Sequence, residues 1–286
     1  MADSDTVTAV TVTLNGMPWI EQCLESLRGL ETIVVDHGST DGTLEAVRGR
    51  FPEARLIEQA NAGYGAGLNA GFRTSSPRYW LVINSDAWVV GDAVDRLVAF
   101  ADTHPDAAVV APRLRNPDGS LQRSVRGFPT LWRLATEYFF LRRLAPRSHA
   151  LNAFYAGDFD HGSTRAVEWV MGSCFLVRRA AADEVGLFDE DFFLFSEETD
   201  WLYRFHEAGW TVWFTPEAEA VHVGGATHGG RMFVENVRGQ VRWFAKHRGP
   251  REAARARRLL VTALRLRGLL FRGERGRVYR EAARAL

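Results

Sequence analysis

The 286-residue sequence has little cysteine, a single lysine and no long apolar run. Its two cysteines, Cys23 and Cys174, are too few for a disulfide scaffold at this length, which favours a reducing, cytoplasmic compartment. The first residues lack a basic stretch followed by an apolar one, so no secretory signal is predicted. No stretch approaches the ~20 apolar residues that a membrane-spanning helix needs. The composition, with 46% hydrophobic and 24% charged residues, excludes disordered and fibrous chains.

Charge is balanced overall but divided unevenly along the chain. Residues 231–286 contain 16 Lys and Arg against 4 Asp and Glu, and the whole chain contains 35 of each sign. We therefore predict an acidic body over residues 1–230 and a basic, helical extension over residues 231–286. Such an extension suits an anionic partner, namely phosphate groups, nucleic acid or a membrane surface, or else it is a solvated helix surface that docks on the acidic body.

Short apolar runs alternate with helical patterns through the first hundred residues. Strands are predicted at 6–14, 31–36, 55–58 and 79–83, and helices at 17–30, 43–50, 61–72 and 92–104. This order predicts an α/β protein with a parallel sheet and right-handed crossovers. The second half is less regular, with loops at 112–129 and 148–165, helices at 131–144, 195–208 and from 233 onward, and strands at 167–177, 210–214 and 220–223.

Polar residues follow the ends of all four predicted strands, at Thr13, Asn15, Asp36, Asn61, Asn84 and Asp86. Because parallel sheets bind ligands beyond the carboxyl ends of their strands, we expect these residues to converge on one edge. There Asp36 can accept the imide N–H of a pyrimidine base, and the glycine-rich segment 61–71 lets backbone N–H groups approach phosphate. Asp86 suits Mg²⁺ or Mn²⁺, which also takes the diphosphate oxygens of a nucleotide sugar. The structural alternative for each is a turn residue or a helix cap.

The most specific stretch is the aromatic and acidic segment 186–201. Asp200 stands four residues before Arg204, so an intrahelical ion pair accounts for it. Glu198 has no basic residue three or four positions on, which makes it a candidate general base with a pKa raised by burial. His222 ends an apolar run and can ligate a divalent ion or bond a phosphate, although a lone histidine is more often structural.

Seven segments, taken in order, resemble the inverting nucleotide-sugar transferases of glycosyltransferase family 2, and most of all their bacterial rhamnosyltransferase-type members. They span roughly residues 7–228 and read VTVTLNG, VVDHGSTDGT, NAGYGAGLNAG, LVINSDAWV, VMGSCFLVRR, GLFDEDFFLFSEETDW and RFHEAGWTVWFTPEAEAVH. The resemblance implies the GT-A fold, a mostly parallel mixed sheet flanked by helices. It also implies transfer of a sugar, rhamnose among the candidates, from a dTDP- or UDP-linked donor to a saccharide or lipid-linked saccharide in cell-surface polysaccharide synthesis.

The resemblance assigns chemical roles to five residues. Glu198 stands where the family has the general-base aspartate of its Glu-Asp motif, and Asp200 remains a competitor because Glu198 is one methylene longer. Asp86 and His222 are the implied ligands of Mg²⁺ or Mn²⁺. Asn84 occupies the first position of the family's metal-binding motif, as is common in rhamnosyl-type members.

Further residues are expected to bind the two substrates. Gly172 and Trp201 are expected to border the acceptor. The expected donor-binding residues are Thr13, Asn15, Asp36, Ser39, Asn61, Gly63, Asn69 and Asn84.

The basic extension carries an apolar stripe with arginines beside it. The stripe consists of Leu259, Leu260, Ala263, Leu264, Leu266, Leu270 and Phe271. Such a stripe can lie in an anionic membrane interface, which would hold the enzyme peripherally at the cytoplasmic face of the cell membrane. Two alternatives are packing on the catalytic body and packing against the same helix in a homodimer.

Two other functions fit parts of the sequence. A nucleotidyltransferase that makes nucleotide sugars would need Arg or Lys in the loop after the first strand, and that loop, LNGMPWI, has neither. A nucleic-acid-binding protein would use the basic extension, which has few aromatic residues and no zinc or RNA-binding signature. We therefore expect no nucleic-acid partner.

Overall fold

The first half of the chain alternates strands and helices, as predicted. The structure is a computed structural model that describes residues 6–224 and 230–286. The elements are β1 (Val7–Thr13), α1 (Trp19–Ser26), β2 (Glu31–Asp36), α2 (Thr43–Arg50), β3 (Arg55–Glu58), α3 (Tyr64–Phe72), β4 (Tyr79–Ile83), β5 (Ala87–Val90) and α4 (Ala93–Thr103). Strand β5 was not predicted, and the other strands fall within their predicted ranges.

The second half contains shorter and more varied elements. They are β6 (Ala107–Arg115), β7 (Leu121–Gln122), β8 (Val125–Arg126), α5 (Leu131–Tyr138), 3₁₀ turns at Leu141–Arg143 and Ala153–Tyr155, β9 (Arg165–Val167), β10 (Trp169–Val170), β11 (Cys174–Arg178), α6 (Arg179–Val185), α7 (Glu197–Glu207), β12 (Thr211–His222), α8 (Gly230–Leu270) and α9 (Gly273–Ala285). Strand β6 runs into the predicted loop, and β12 is one strand where two were predicted.

The main sheet is mixed and mostly parallel. Its strand order is β3-β2-β1-β4-β11-β6-β12-β5, with β7 added to β6 and β9 added to β12. Strands β3, β2, β1 and β4 are parallel neighbours, and so are β6 and β12, whereas β11 runs antiparallel between β4 and β6. Strands β8 and β10 form a separate two-stranded ribbon.

The central strands are buried on both faces because helices cover the sheet on each side. Every residue of β1 and β4 is buried, in keeping with the apolar sequence YWLVI of β4 and the valines, alanine and threonines of β1. Thr13, the last residue of β1, lies beside Asp36, the last residue of β2. This register brings the polar strand ends to one edge of the sheet.

The C-terminal extension packs on the body, and α8 bends where Gly249 takes a positive φ of 81° before Pro250. Of the predicted membrane stripe, Leu260, Ala263 and Leu264 are fully buried in the main core. These three residues follow the alternative in which the stripe packs on the catalytic body, and membrane contact of the remaining residues stays a prediction. Leu266 and Leu270 remain exposed.

The division of the chain at residue 230 stays a prediction, since Trp243 and Phe244 of α8 share one hydrophobic core with the body. The end of the resemblance, at residues 225–228, lies outside the described residues. In the described part of the chain, no helix combines the length and the apolarity needed to cross a bilayer.

Candidate active site

The ends of β1 and β2 form a buried polar pocket. The Asp36 carboxylate is fully buried, and its Oδ1 accepts the backbone N–H groups of Gly38 and Ser39, both at 2.8 Å. Asp36 Oδ2 and the neighbouring Thr13 Oγ1 are buried and have no hydrogen-bond partner within the protein. Because an unpaired buried oxygen costs free energy, these two atoms are suited to meet the polar edge of a ligand.

Asn15 and Ser39 lie beside this pocket, and two hydrogen bonds connect the loop that contains Asn15 with the turn that contains Ser39. Ser39 Oγ accepts the Asn15 backbone N–H at 2.8 Å, and Asn15 Oδ1 accepts the Thr40 backbone N–H at 2.9 Å. These bonds join the loop after β1 to the turn after β2. Both residues are therefore near the predicted donor site, with their side-chain oxygens already used to shape it.

The glycine-rich segment 61–71 is the next part of the candidate site. Asn61 Oδ1 accepts the Gly63 N–H at 3.1 Å, and Gly63 has a φ of 108°. A Cβ at Gly63 would lie 2.4 Å from the Phe193 carbonyl oxygen, so only glycine fits there. Asn69 is different, because it is buried and its amide bonds both the N–H and the C=O of Phe188. The structure thus places Asn69 in a structural role, away from the predicted donor site.

An acidic and histidine pair lies after β4. Asp86 Oδ1 is 3.4 Å from His222 Nε2, and the Asn84 amide nitrogen is 3.3 Å from the same ring nitrogen. Burial raises the pKa of Asp86, but hydrogen bonds from His222 and from the Gly224 N–H outweigh burial and leave that pKa below its ordinary value. Asp86 is therefore held as a carboxylate, the form that binds cations.

Gln122, which was not predicted from the sequence, fixes the His222 ring. Its Oε1 lies 2.7 Å from His222 Nδ1, and its Nε2 donates to the His222 carbonyl and to Asn116 Oδ1. Since both donations orient the amide, Oε1 is the acceptor and Nδ1 carries the proton. His222 Nε2 then faces Asp86 Oδ1, where it donates to the carboxylate when protonated and offers its lone pair to a cation when the ring is neutral. No local pattern marks Gln122, which lies 100 residues from His222.

Tyr64 joins Asn84 to Gly172, and these two residues mark the two sides of the cleft between the Asp86–His222 pair and Glu198. Its hydroxyl donates to Asn84 Oδ1 at 2.7 Å and lies 3.2 Å from the Gly172 carbonyl oxygen. Burial raises the pKa of this hydroxyl, and the charges of Glu197 and Glu198 raise it further. Tyr64 was not singled out from the sequence, although it is the only large polar side chain among the glycines of segment 61–71.

Glu198, the second residue of α7, lies beside Gly172. A Cβ built on Gly172 would lie 3.8 Å from Glu198 Cβ and 3.8 Å from Tyr64 Cε1. Glu198 Oε2 and the neighbouring Glu197 Oε2 are buried without a hydrogen-bond partner in the protein. Burial raises the pKa of both carboxyl groups, and the charge of Glu198 raises that of Glu197 further. A half-buried, unpaired carboxylate of raised pKa fits a general base.

Asp200, the competing base, is excluded by its surroundings. It is fully buried and bonds Arg204 Nε at 3.0 Å, Lys246 Nζ at 2.8 Å and His247 Nε2 at 2.7 Å. Both carboxylate oxygens are used by these cations. The structure therefore corrects the prediction that left Asp200 as a candidate, because Asp200 ties α7 to α8 and does not reach the cleft.

Trp201 is the other residue that the structure moves away from the site. Its ring is fully buried against Phe72 and Phe188, and its Nε1 donates to the Gly186 carbonyl at 2.8 Å. A side chain in the core cannot contact an acceptor, so this prediction is wrong. Gly172, in contrast, lies at the cleft beside Glu198 and remains a predicted acceptor contact.

The unpaired oxygens of Thr13 and Asp36 and the Asp86–His222 pair thus follow neighbouring strands of one sheet, and Tyr64 joins Asn84 to Gly172, beside Glu198. The sequence model described as glycosyl transferase family 2 matches residues 8–186. The chain belongs to glycosyltransferase family 2. The prediction of a glycosyltransferase is confirmed, and the alternatives of a nucleotidyltransferase and of a nucleic-acid-binding protein are set aside.

Named relatives agree with this family. The chain is 34% identical over 236 residues to the N-acetylglucosaminyl-diphospho-decaprenol L-rhamnosyltransferase of Mycobacterium tuberculosis, covering 77% of this chain and 76% of that protein. It is 21% identical over 223 residues to the low-salt glycan biosynthesis hexosyltransferase Agl10 of Haloferax volcanii, covering 76% of this chain and 67% of that one.

Solved structures confirm the GT-A fold. GalNAc-T7, crystallised with UDP, GalNAc and Mn²⁺, superposes with a TM-score of 0.61 at 14% identity over 84% of this chain, which spans about half (47%) of that one. The mannosyltransferase PcManGT of Pyrobaculum calidifontis, in complex with GDP-Man and Mn²⁺, superposes with a TM-score of 0.58 at 17% identity over 100% of this chain and 76% of that one.

Proposed function

We propose that this glycosyltransferase moves a deoxyhexose, rhamnose in the first instance, from a pyrimidine nucleoside diphosphate to a saccharide carried on a lipid diphosphate. The choice of sugar and of acceptor class follows the mycobacterial relative, an N-acetylglucosaminyl-diphospho-decaprenol L-rhamnosyltransferase. The unpaired Asp36 Oδ2 and Thr13 Oγ1 supply the nucleoside class, because a pyrimidine imide N–H can bond the carboxylate. One observation carries the proposal: Tyr64 lies between Glu198 and the segment that holds Asp86 and His222. A general base at Glu198 would then face a diphosphate bound at the Asp86–His222 pair.

The Asp86–His222 pair fits Mg²⁺ or Mn²⁺. Within the described residues no group of three His, Cys, Asp or Glu could hold a metal alone. Two protein ligands are nevertheless enough for these ions, which take the remaining ligands from water and substrate phosphates. The ion, when bound, supplies positive charge that stabilises the departing diphosphate.

The protein's own residues then perform a single displacement. Asp36 and Thr13 hold the base, and the glycine-rich segment that begins at Asn61 approaches the diphosphate. Glu198 takes the proton of the acceptor hydroxyl as that oxygen attacks the anomeric carbon. The nucleoside diphosphate leaves from the opposite face of the sugar, which inverts the anomeric configuration.

A donor screen tests the nucleoside and the metal together. Release of nucleoside diphosphate is measured from dTDP-, UDP- and GDP-sugars with Mg²⁺ or Mn²⁺, in the presence of a GlcNAc diphosphate that carries a short alkyl chain. We expect turnover of a dTDP- or UDP-sugar, and turnover of GDP-sugars alone would contradict the assignment of Asp36. Asp86→Ala should abolish metal-dependent transfer, whereas Asp92→Ala, an exposed carboxylate paired with Arg96, should leave it unchanged.

An exposed apolar patch supports contact with an anionic membrane. The patch consists of Phe139, Leu144, Leu266, Leu269 and Leu270, all exposed, with Leu269 at 80% and Leu144 at 78%. Arg267 joins its two segments, because its guanidinium lies over the Phe140 ring at 4.0 Å and donates to the Glu137 and Tyr138 carbonyls. Residues 139–147 and 265–272 contain arginines and no acidic residue, which suits anionic lipid.

Vesicle co-sedimentation tests this surface with point variants, because deletion of residues 251–286 would remove Leu260 and Leu264 from the core. Leu269→Glu with Leu270→Glu should release the protein from phosphatidylglycerol vesicles at low salt, and neither protein should bind phosphatidylcholine vesicles. Wild-type protein that stays in the supernatant would contradict membrane contact. A wild-type dimer that the double variant dissociates would assign the patch to self-association.

A further inference from the structure

Two arginines, Arg126 and Arg142, lie close together near the proposed base. Arg126 is half-buried, and its guanidinium donates to the carbonyls of Arg123 and Val125 and to the Met171 sulfur at 3.1 Å. Over residues 6–224 and 230–286, none of its hydrogen-bond or ion-pair partners is a carboxylate. Among the acidic groups its charge interacts with that of Glu198, the proposed base, so an anionic ligand would give this guanidinium a hydrogen-bonded anion of its own.

Tyr155 connects this guanidinium to a second one. The Arg126 guanidinium lies 4.9 Å from the Tyr155 ring centre, and that of Arg142 lies 4.7 Å from the same ring. Arg142 bonds Glu137, so Arg126 is the one of the two that has no carboxylate bonded to it. Burial lowers the pKa of Arg126 to about 10, so the group remains cationic at neutral pH.

The cluster lies between the site of chemistry and the apolar patch. Toward the base, Arg126 touches Met171, the neighbour of Gly172, and its charge attracts Glu198. Toward the patch, Arg142 belongs to the 3₁₀ turn between Phe139 and Leu144. A saccharide at Gly172 with a diphosphate and a lipid attached would extend along this path.

We infer that Arg126 and Arg142, which both lie against the Tyr155 ring, bind the diphosphate of a lipid-linked acceptor. The inference rests on the proposed function for the acceptor class, and it adds the residues that recognise the diphosphate. Two guanidinium groups are suited to phosphate oxygens, because they donate paired N–H groups in a planar fork. The donor diphosphate is expected at Asp86 and His222 instead, so the two anions occupy separate sites.

A binding experiment tests the site without any turnover. Decyl diphosphate is titrated below its micellar concentration in EDTA, which removes divalent cations from the Asp86–His222 pair. We expect Arg126→Gln to weaken binding at least about tenfold, the usual effect of losing a charge-assisted hydrogen bond. Arg126→Lys, which keeps the charge, should recover part of the affinity. Arg28→Gln, which removes an exposed arginine lying over the Phe51 ring at 5.4 Å, should bind as wild type does.

Transfer assays separate recognition of the acceptor from support of Glu198. With a GlcNAc diphosphate carrying a short alkyl chain, Arg126→Gln should raise the acceptor KM at least about tenfold with little change in kcat. With an alkyl glycoside of GlcNAc, which has no phosphate, the variant and wild type should behave alike. An equal loss of kcat/KM with both acceptors would overturn the proposed diphosphate site. It would show that Arg126 acts only by supporting Glu198.

The remaining outcomes are also distinct. Equal affinity of wild type and Arg126→Gln for decyl diphosphate overturns the inference. Loss of binding to phosphatidylglycerol vesicles in Arg126→Gln overturns it as well, because the anion bound by Arg126 would then be a lipid headgroup. Arg126-dependent binding of decyl diphosphate without transfer to either acceptor would contradict the proposed function and leave the anion site established. If Arg126→Gln has a lower melting temperature, Arg142→Gln serves in the same assays, with the same expected direction.

Discussion

Two of the four carboxylates of helix α7, Glu198 and Asp200, stand two residues apart in opposite surroundings. Glu198 lies at the cleft with an unpaired buried oxygen, whereas Asp200 is enclosed by Arg204, Lys246 and His247. The pKa of Glu198 is raised by burial. That of Asp200 is lowered, because the hydrogen bonds and charges of its cations outweigh burial. The comparison teaches that a carboxylate with an unpaired oxygen beside Gly172 is available for chemistry, whereas one whose two oxygens are both paired serves as a fold contact.

The largest expected effect is on catalysis at Glu198. Glu198→Gln should lower kcat by about 10²–10⁴, because amide nitrogen and oxygen cannot take the acceptor proton. Donor affinity, measured by calorimetry with the metal present, should be nearly unchanged. Glu207→Gln, at the exposed far end of the same helix, is the matched control. A Glu198→Gln enzyme with wild-type kcat would show that another group is the base.

The raised pKa of Glu198 also predicts the pH profile. The base must be deprotonated, so kcat/KM should rise with pH, with a midpoint above the ~4.3 of an ordinary glutamate. An acid limb at or below that value would contradict a buried base.

The role of Asp200 in the fold can be tested through the free energy of unfolding. Asp200→Asn should lower the free energy of unfolding by about 1.5–3 kcal/mol, since it weakens the charge-assisted hydrogen bonds of a buried carboxylate to Arg204, Lys246 and His247. Chemical denaturation measures this loss, and the protein that remains folded should keep its kcat. Because the wild-type pKa is lowered, the contribution of the carboxylate is present above the ordinary aspartate pKa and disappears as the pH falls through the folded value. An inactive but stable Asp200→Asn protein would reverse the assignment of the two residues.

Gln122 is expected to have a smaller effect, through His222. Gln122→Ala should raise the Mn²⁺ or Mg²⁺ concentration needed for half-maximal activity by about 10–100-fold, the usual effect of losing a partner that orients a metal ligand. Gln122→Glu keeps an acceptor for His222 Nδ1 and should restore part of the affinity. Gln22→Ala, on the exposed face of α1, should behave as wild type. An unchanged metal requirement in Gln122→Ala would remove Gln122 from the site.

The smallest effect is expected at Glu197, whose buried Oε2 has no partner. Its raised folded-state pKa means that the folded protein holds the proton more tightly than the unfolded chain. Stability should therefore fall as the pH rises from the ordinary glutamate range to the folded value. Glu197→Gln should melt at a higher temperature than wild type at pH 8 and at a similar one near pH 4. A lower melting temperature at pH 8 would show that the carboxylate is stabilising.

Much of the sheet could be predicted because its signals are local. Strands β1, β2, β3 and β4 are short apolar runs followed by turns, and the polar residues at their ends identified Asp36 and Asp86. Strand β6 was missed because Pro112 lies inside it. Strand β12 was divided in two at Pro216, where the structure has an irregular register between Thr215 and Glu219 against β6.

The pairing of side chains could not be predicted because it is not local. The cations around Asp200 include Lys246 and His247, which lie 46 and 47 residues along the chain and meet it only when α8 docks on α7. The local pattern offered Arg204 alone. Trp201 was misplaced for the same reason, since the side of α7 that faces the cleft depends on what packs against the other side.

The product's anomeric configuration tests the central claim most directly. If Glu198 activates the acceptor, the nucleoside diphosphate leaves from the opposite face in one displacement, with no covalent sugar–enzyme intermediate. Nuclear magnetic resonance of the disaccharide formed from a donor of known configuration should therefore show the inverted linkage. A retained configuration would contradict this mechanism, because retention through a double displacement requires a nucleophile beside the anomeric carbon and a different role for Glu198.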